Sequence, residues 1–197
     1  MIRNICRFIT TMLLICFSAA GWPQWTVGSR GFGGGGANQY LRPTADSDSS
    51  SAIISVCSGS GVHAASSSMS SVYSGKSGIG PVTSAFGYLQ GSGNTFEQRI
   101  FSSWQSASAS YSNLALSVNW SCAAGNIDGV CTLGYSSNSG ASWTTISSTA
   151  GSFSQQTTSV TITGTLVANL EVAACVINTT DTSAQANIYD IWTSGIF

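Results

Sequence analysis

The sequence predicts an all-β chain, an antiparallel sandwich or barrel of about eight to ten short strands. Apolar and polar residues alternate with period two from Gln39 onward, and no stretch carries the apolar spacing of an amphipathic helix. Clusters of Ser, Gly and Asn interrupt that alternation at short intervals, as turns between strands do. Only 7% of the 197 residues are charged, whereas 10% are aromatic, including six Trp. A disordered chain has the reverse balance, so this one has the means to build a core. The length suits a single domain.

Residues 1–20 (MIRNICRFITTMLLICFSAA) read as a secretory signal peptide. Arg3 and Arg7 supply the positive start, Phe8 to Phe17 the apolar run, and Ser18-Ala19-Ala20 the small residues before cleavage. The run is about ten residues long, half of what a membrane span requires. Ile15 stands before Cys16 where a lipoprotein signal has Gly, Ala or Ser. With the leader removed, four basic residues remain against seven acids, a net charge near −3. Neither nucleic acid nor an anionic membrane is an expected partner, since both require clustered Lys and Arg.

Residues 21–38 form a glycine-rich arm, with Gly33 to Gly36 as its loosest part. The arm is not a phosphate loop, because no strand leads into it and no helix leaves it. The sandwich domain occupies 39–197. Its clearest predicted strand is Leu114 to Cys122, with Leu114, Leu116, Val118, Trp120 and Cys122 on one face. Cys131 to Tyr135, Ser142 to Ile146, Ser159 to Thr163, Leu170 to Ile177 and Ala184 to Trp192 follow. Tyr40 to Arg42, Ala52 to Cys57, Thr83 to Leu89 and Phe96 to Trp104 precede it.

Cys57, Cys122, Cys131 and Cys175 remain after cleavage, an even number that implies two disulfides in an exported chain. Zinc is the weaker explanation, as there is no CxxC spacing and His63 is the only histidine. Cys122 and Cys131 fall on the inward face of consecutive strands that a hairpin would join, which predicts their pairing. Cys57 and Cys175 are then paired by elimination.

Catalytic chemistry finds little support. His63 lies in a loop-like stretch with no G-x-S-x-G elbow anywhere, and oxidised cysteines offer no thiolate. Glycosidases need two facing carboxylates, and Glu97 and Glu171 are the only glutamates. Asp46 and Asp48 read as a solvated turn rather than a calcium loop. No cofactor or metal is expected. Asn119-Trp-Ser121 and Asn178-Thr-Thr180 fit the N-glycosylation sequon.

The stretch Gly134-Tyr-Ser-Ser-Asn-Ser-Gly-Ala-Ser-Trp143, together with the late strand Ala186 to Trp192, resembles the jelly-roll, lectin-like accessory domains of secreted and phage-encoded surface proteins. The resemblance covers residues 96–197. It implies a jelly-roll β-sandwich and carbohydrate binding without catalysis. Within it, Ser136 to Trp143 is similar to an Asp-box hairpin, with Asn138 in place of the Asp. Flat sugar faces stack on aromatic rings, so Trp104, Tyr111, Trp143, Tyr189 and Trp192 are the candidate ligand contacts. The expected function is a secreted binding module for carbohydrate or another cell-surface ligand. The alternative is a structural subunit of a fibre, filament or surface layer that self-associates through residues 21–38 by strand addition.

Overall fold

The computed structural model describes residues 39–48, 54–57, 62–76, 80–83, 86–106, 110–124, 129–179 and 183–195. The signal peptide expected at 1–20 and the arm expected at 21–38 lie outside the described residues.

Two antiparallel sheets face each other as a sandwich. In the first, β9 (Phe153–Leu166), β6 (Ser110–Ala124) and β11 (Ala184–Gly195) run side by side. The far side of β11 is shared by β4 (Gly87–Gly91) and β1 (Gln39–Leu41). In the second, β8 (Thr144–Ala150), β7 (Gly129–Ser136), β10 (Glu171–Asn178) and β5 (Thr95–Trp104) are neighbours. Beyond β5 lie β2 (Pro43–Ser47) and the short parallel β3 (Val62–His63). From β4 onward the chain changes sheets at nearly every connection, the wrapping of a jelly roll. The sequence pattern missed β2 and β3, and Ser55–Cys57 is a 3₁₀ turn rather than the end of a strand.

Alternation builds the core as expected. Leu114, Leu116, Val118, Trp120 and Cys122 of β6 are at most 2% exposed and face Leu133, Val172, Ala174 and Val176 of the other sheet. Each large side chain so enclosed contributes on the order of 1.5–3 kcal/mol. Trp120 packs edge-on against Phe153 at 4.6 Å, and its indole N–H donates to Thr158 Oγ1 at 2.9 Å.

The disulfides join Cys122 to Cys131 (Cα–Cα 6.1 Å) and Cys57 to Cys175 (5.6 Å). The reason given by the sequence for the first pair needs correction. β6 and β7 are not a hairpin but belong to opposite sheets, so the bond staples the two layers across the core. Cys175 points the other way, off the outer face of the second sheet. There Cys57, Ile54 and Ala173 form a second apolar patch with Val56, Ile100 and Trp143 against it. Gly134 makes this possible, because a Cβ at that position would stand 2.6 Å from Val56 Cγ2.

Candidate functional site

The five aromatic residues singled out by the sequence do not converge. Trp104 ends β5 and is 3% exposed within the main core. Trp192 on β11 is 6% exposed. Neither offers a ring face to a ligand, because both side chains are almost wholly enclosed. Trp143 is half-buried over the Cys57–Cys175 patch of the second sheet. Tyr111 lies in β6 opposite Thr165, and its side chain is outside the described residues. Tyr189 on β11 is partly exposed. A register shift between Ile188 and Asp190 leaves it as the extra residue of a bulge. Its ring then meets Phe86 at 5.4 Å and its hydroxyl lies 3.2 Å from that of Ser121.

Phe86 in turn lines a groove of about 540 Å³ that residues of β4 and β5 border, the size of an ordinary small-ligand site. One wall is β4. Leu89 turns inward and is fully buried, so Phe86 and Tyr88 turn outward, 48% and 53% exposed. The period-two signal was present here, but the run is short, interrupted by glycines, and carries its rings on the polar phase. Gln90 continues the same face.

The opposite wall, with Ser67, Ser68 and Ser71, belongs to a stretch of irregular chain leading into a single 3₁₀ turn (Ser70–Val72), and two aspartates hold it in place. Asp46 accepts from the Met69 N–H at 2.9 Å, the Tyr73 hydroxyl at 2.6 Å, the Ser68 hydroxyl at 3.1 Å and the Arg99 guanidinium. Burial pushes its carboxyl up. The bonds from Tyr73, Met69 and Arg99 outweigh burial and leave it below the usual carboxylate range. Asp48 accepts the Ser66 N–H at 2.9 Å and meets His63 Nε2 at 2.9 Å. The sequence reading of a solvated Asp turn and a histidine in a loop is therefore corrected. His63 lies in β3, with its ring edge-on to Phe96 at 5.2 Å.

Glu97, from the start of β5, lines the groove, and one of its oxygens accepts the Gln90 N–H at 2.9 Å. Burial raises its carboxyl above the usual value, with the Gln90 N–H partly opposing. Glu171 is raised by burial too, but elsewhere. Glu97 lies opposite Val176, and Glu171 is five residues away along β10, so the two occupy opposite faces of the sheet and cannot flank one substrate.

Beyond Tyr88, which pairs with Asn187, the outer face of the first sheet is a lattice of amides and hydroxyls. Asn187 donates to Ser121, Asn119 donates to Thr157 and accepts from Gln155, and Ser117 bonds Ser159. These groups satisfy one another, and Asn119 of the first sequon is 7% exposed; Asn178 of the second, at the end of β10, is fully buried and donates to the Gly91 carbonyl. Neither asparagine is open to a glycosyl donor in the folded chain.

The hairpin between β7 and β8 has the geometry its sequence implies. Asn138 Oδ1 accepts from the Ser142 N–H at 2.9 Å and the Ser136 hydroxyl at 2.8 Å, and Gly140 takes φ +80°. Among the described residues no group of three His, Cys, Asp or Glu is arranged to hold a metal ion.

No family model and no curated protein matches the chain. Among solved structures it is similar to chitosan-binding module 1 of a chitosanase/glucanase from Paenibacillus sp. IK-5. That likeness has 15% identity and a TM-score of 0.42 over 78% of this chain and 96% of the other. It is also similar to a truncated AlyQ with CBM32 and alginate lyase domains (13%, TM-score 0.33, 81% of this chain and 34% of the other). A third likeness is to a CBM4 structure (13%, TM-score 0.33, 59% and 89%). The function of the groove therefore rests on its own residues.

Proposed function

We propose that the chain is a secreted, non-catalytic β-sandwich that binds carbohydrate in the groove between β4 and the Ser67–Ser71 wall. The observation that carries this reading is the exposure of Phe86 and Tyr88, at 48% and 53%, in a groove otherwise lined by hydroxyls, an amide and one carboxylate. A pyranose has an apolar face and a belt of hydroxyls, and this wall offers both complements side by side. Binding needs no moving part, since Asp46 and Asp48 already fix the wall. The two disulfides suit the oxidising compartment to which the leader directs the chain. Wild-type protein on a glycan array should give a defined set of hits that Tyr88→Ala abolishes while the fold remains. An array without hits, or hits indifferent to Tyr88, would overturn the reading.

One observation favours a structural subunit instead. β9 runs for 14 residues, pairs only with β6 among the described residues, and contains no charged side chain. Long uncharged edges accept further strands. In that reading, residues 21–38 of a neighbouring copy extend the first sheet at β9. Negative-stain images of the mature protein should then show regular assemblies, and deletion of residues 21–36 should dissolve them.

A further inference from the structure

The groove presents a carboxylate that the fold does not neutralise. The two aspartates that hold the serine wall are answered, Asp46 by Arg99 and Asp48 by His63. Glu97 has only the Gln90 N–H on Oε2, and among the described residues no cation touches either of its oxygens. Among the described residues no Lys or Arg lines the groove; nearby Asp48 adds a like charge, which His63 offsets only in part. A half-buried carboxylate in this state is poorly solvated, and its second oxygen is free to accept. An acidic ligand would be repelled. A neutral sugar would satisfy the serines and Gln90 but leave the charge uncompensated. A ligand with an ammonium group would satisfy all three features: the rings, the hydroxyls and the charge.

Resting on the carbohydrate reading above, we propose that the groove selects an aminosugar polymer with unacylated nitrogen, whose ammonium group sits on Glu97 while its ring lies against Tyr88. The two exposed rings favour a sugar over a lysine-bearing chain, whose slender aliphatic stem would leave Phe86 and Tyr88 largely uncovered.

The test is calorimetric titration of the full chain, at low salt and near-neutral pH, with glucosamine oligomers, their N-acetylated counterparts and polylysine. Wild-type protein should bind the free-amine oligomer about tenfold more tightly than the acetylated one, the scale of one charge-assisted hydrogen bond. In Glu97→Gln, which keeps the shape and the acceptor for the Gln90 N–H, the ratio of the two affinities should fall to about one. Thermal melting checks that this variant folds. Equal wild-type affinities, or a preference that survives Glu97→Gln, would overturn the assignment and leave carbohydrate binding standing. Polylysine binding as tightly as the free-amine oligomer would replace the sugar with a protein ligand and overturn it too. Binding of none of the three, with no array hits, would remove the carbohydrate reading and this inference together.

Discussion

Arg42 and Asp190 meet through two parallel hydrogen bonds, Nε to Oδ1 and Nη2 to Oδ2, both 2.9 Å, with both side chains fully enclosed. The carboxylate also accepts the Val82 N–H at 2.8 Å, and the guanidinium donates to the carbonyls of Lys76 and Gly80. One pair thus ties the residue after β1, together with Lys76, Gly80 and Val82, to β11. Asp190→Ala would strand a buried guanidinium and should cost about 3–5 kcal/mol. Replacing both partners with Arg42→Met and Asp190→Leu should cost clearly less than the sum of the single changes. Urea denaturation of the four proteins in a double-mutant cycle measures the difference, and additive losses would show that the pair is not coupled.

The disulfides should contribute unequally. Cys57–Cys175 spans 118 residues and Cys122–Cys131 only 9. Chain entropy gives about 5 kcal/mol for the first and about 2–3 kcal/mol for the second. Removing each pair by double Cys→Ala substitution and comparing urea midpoints checks the order. Equal losses would mean that native packing, not loop closure, sets their value.

How much of this was legible depended on which force placed each residue. The inward face of β6, and with it the sandwich, could be read directly because Leu114 to Cys122 obeys one period without interruption. The Cys122–Cys131 bond was legible as a pair, but the sheet that each strand joins was not, since alternation says which face is inward and nothing about the partner strand. Trp104 and Trp192 were misjudged for a related reason. Chemistry marks an indole as a sugar contact, but tertiary cover decides whether it is reachable. The groove itself was hidden. Its wall at Ser67–Ser71 is irregular apart from the start of one 3₁₀ turn, and it is held by Asp46 and Asp48 through contacts up to 23 residues away that no local pattern encodes.

The aromatic residues should consequently separate by role. Trp143→Ala should lower stability by about 3 kcal/mol or somewhat less, the low end of the range for a buried Trp, because the ring covers Cys57 and Cys175. It should leave affinity for glycan unchanged. Tyr88→Ala should do the reverse, with little change in melting temperature and at least a tenfold loss of affinity. Should Trp143→Ala weaken binding in a fully folded protein, the site lies on the second sheet instead.

Gly140→Ala tests the β7–β8 hairpin. At φ +80° an alanine is strained, and its Cβ would lie 2.9 Å from Glu171 Oε2 and 3.9 Å from Trp143. The expected loss is about 1–2 kcal/mol. Asn138→Ala removes the acceptor for the Ser142 N–H and should cost about 1 kcal/mol by the same measurement. A stable Gly140→Ala protein would show that the hairpin can relax into another turn.

Asp46 and Tyr73 give stability a pH signature at both ends. The folded state holds Asp46 below its ordinary 3.8, so its contribution is complete above that value and is lost as pH falls through the folded value. Tyr73 runs the other way. Burial first, then the bond to Asp46, pushes its hydroxyl up to about 12 from an ordinary 10.0. The unfolded chain therefore releases this proton first, and the stabilisation present below pH 10 drains away toward 12. In melts across both windows, Asp46→Asn should flatten the acid limb relative to wild type, and Tyr73→Phe the alkaline limb. Because Asp46 also holds the Met69 N–H, acid should loosen the serine wall before the core melts. Faster amide exchange at Met69 below pH 4 would report it, and unchanged protection there would show that the wall stands without the carboxylate.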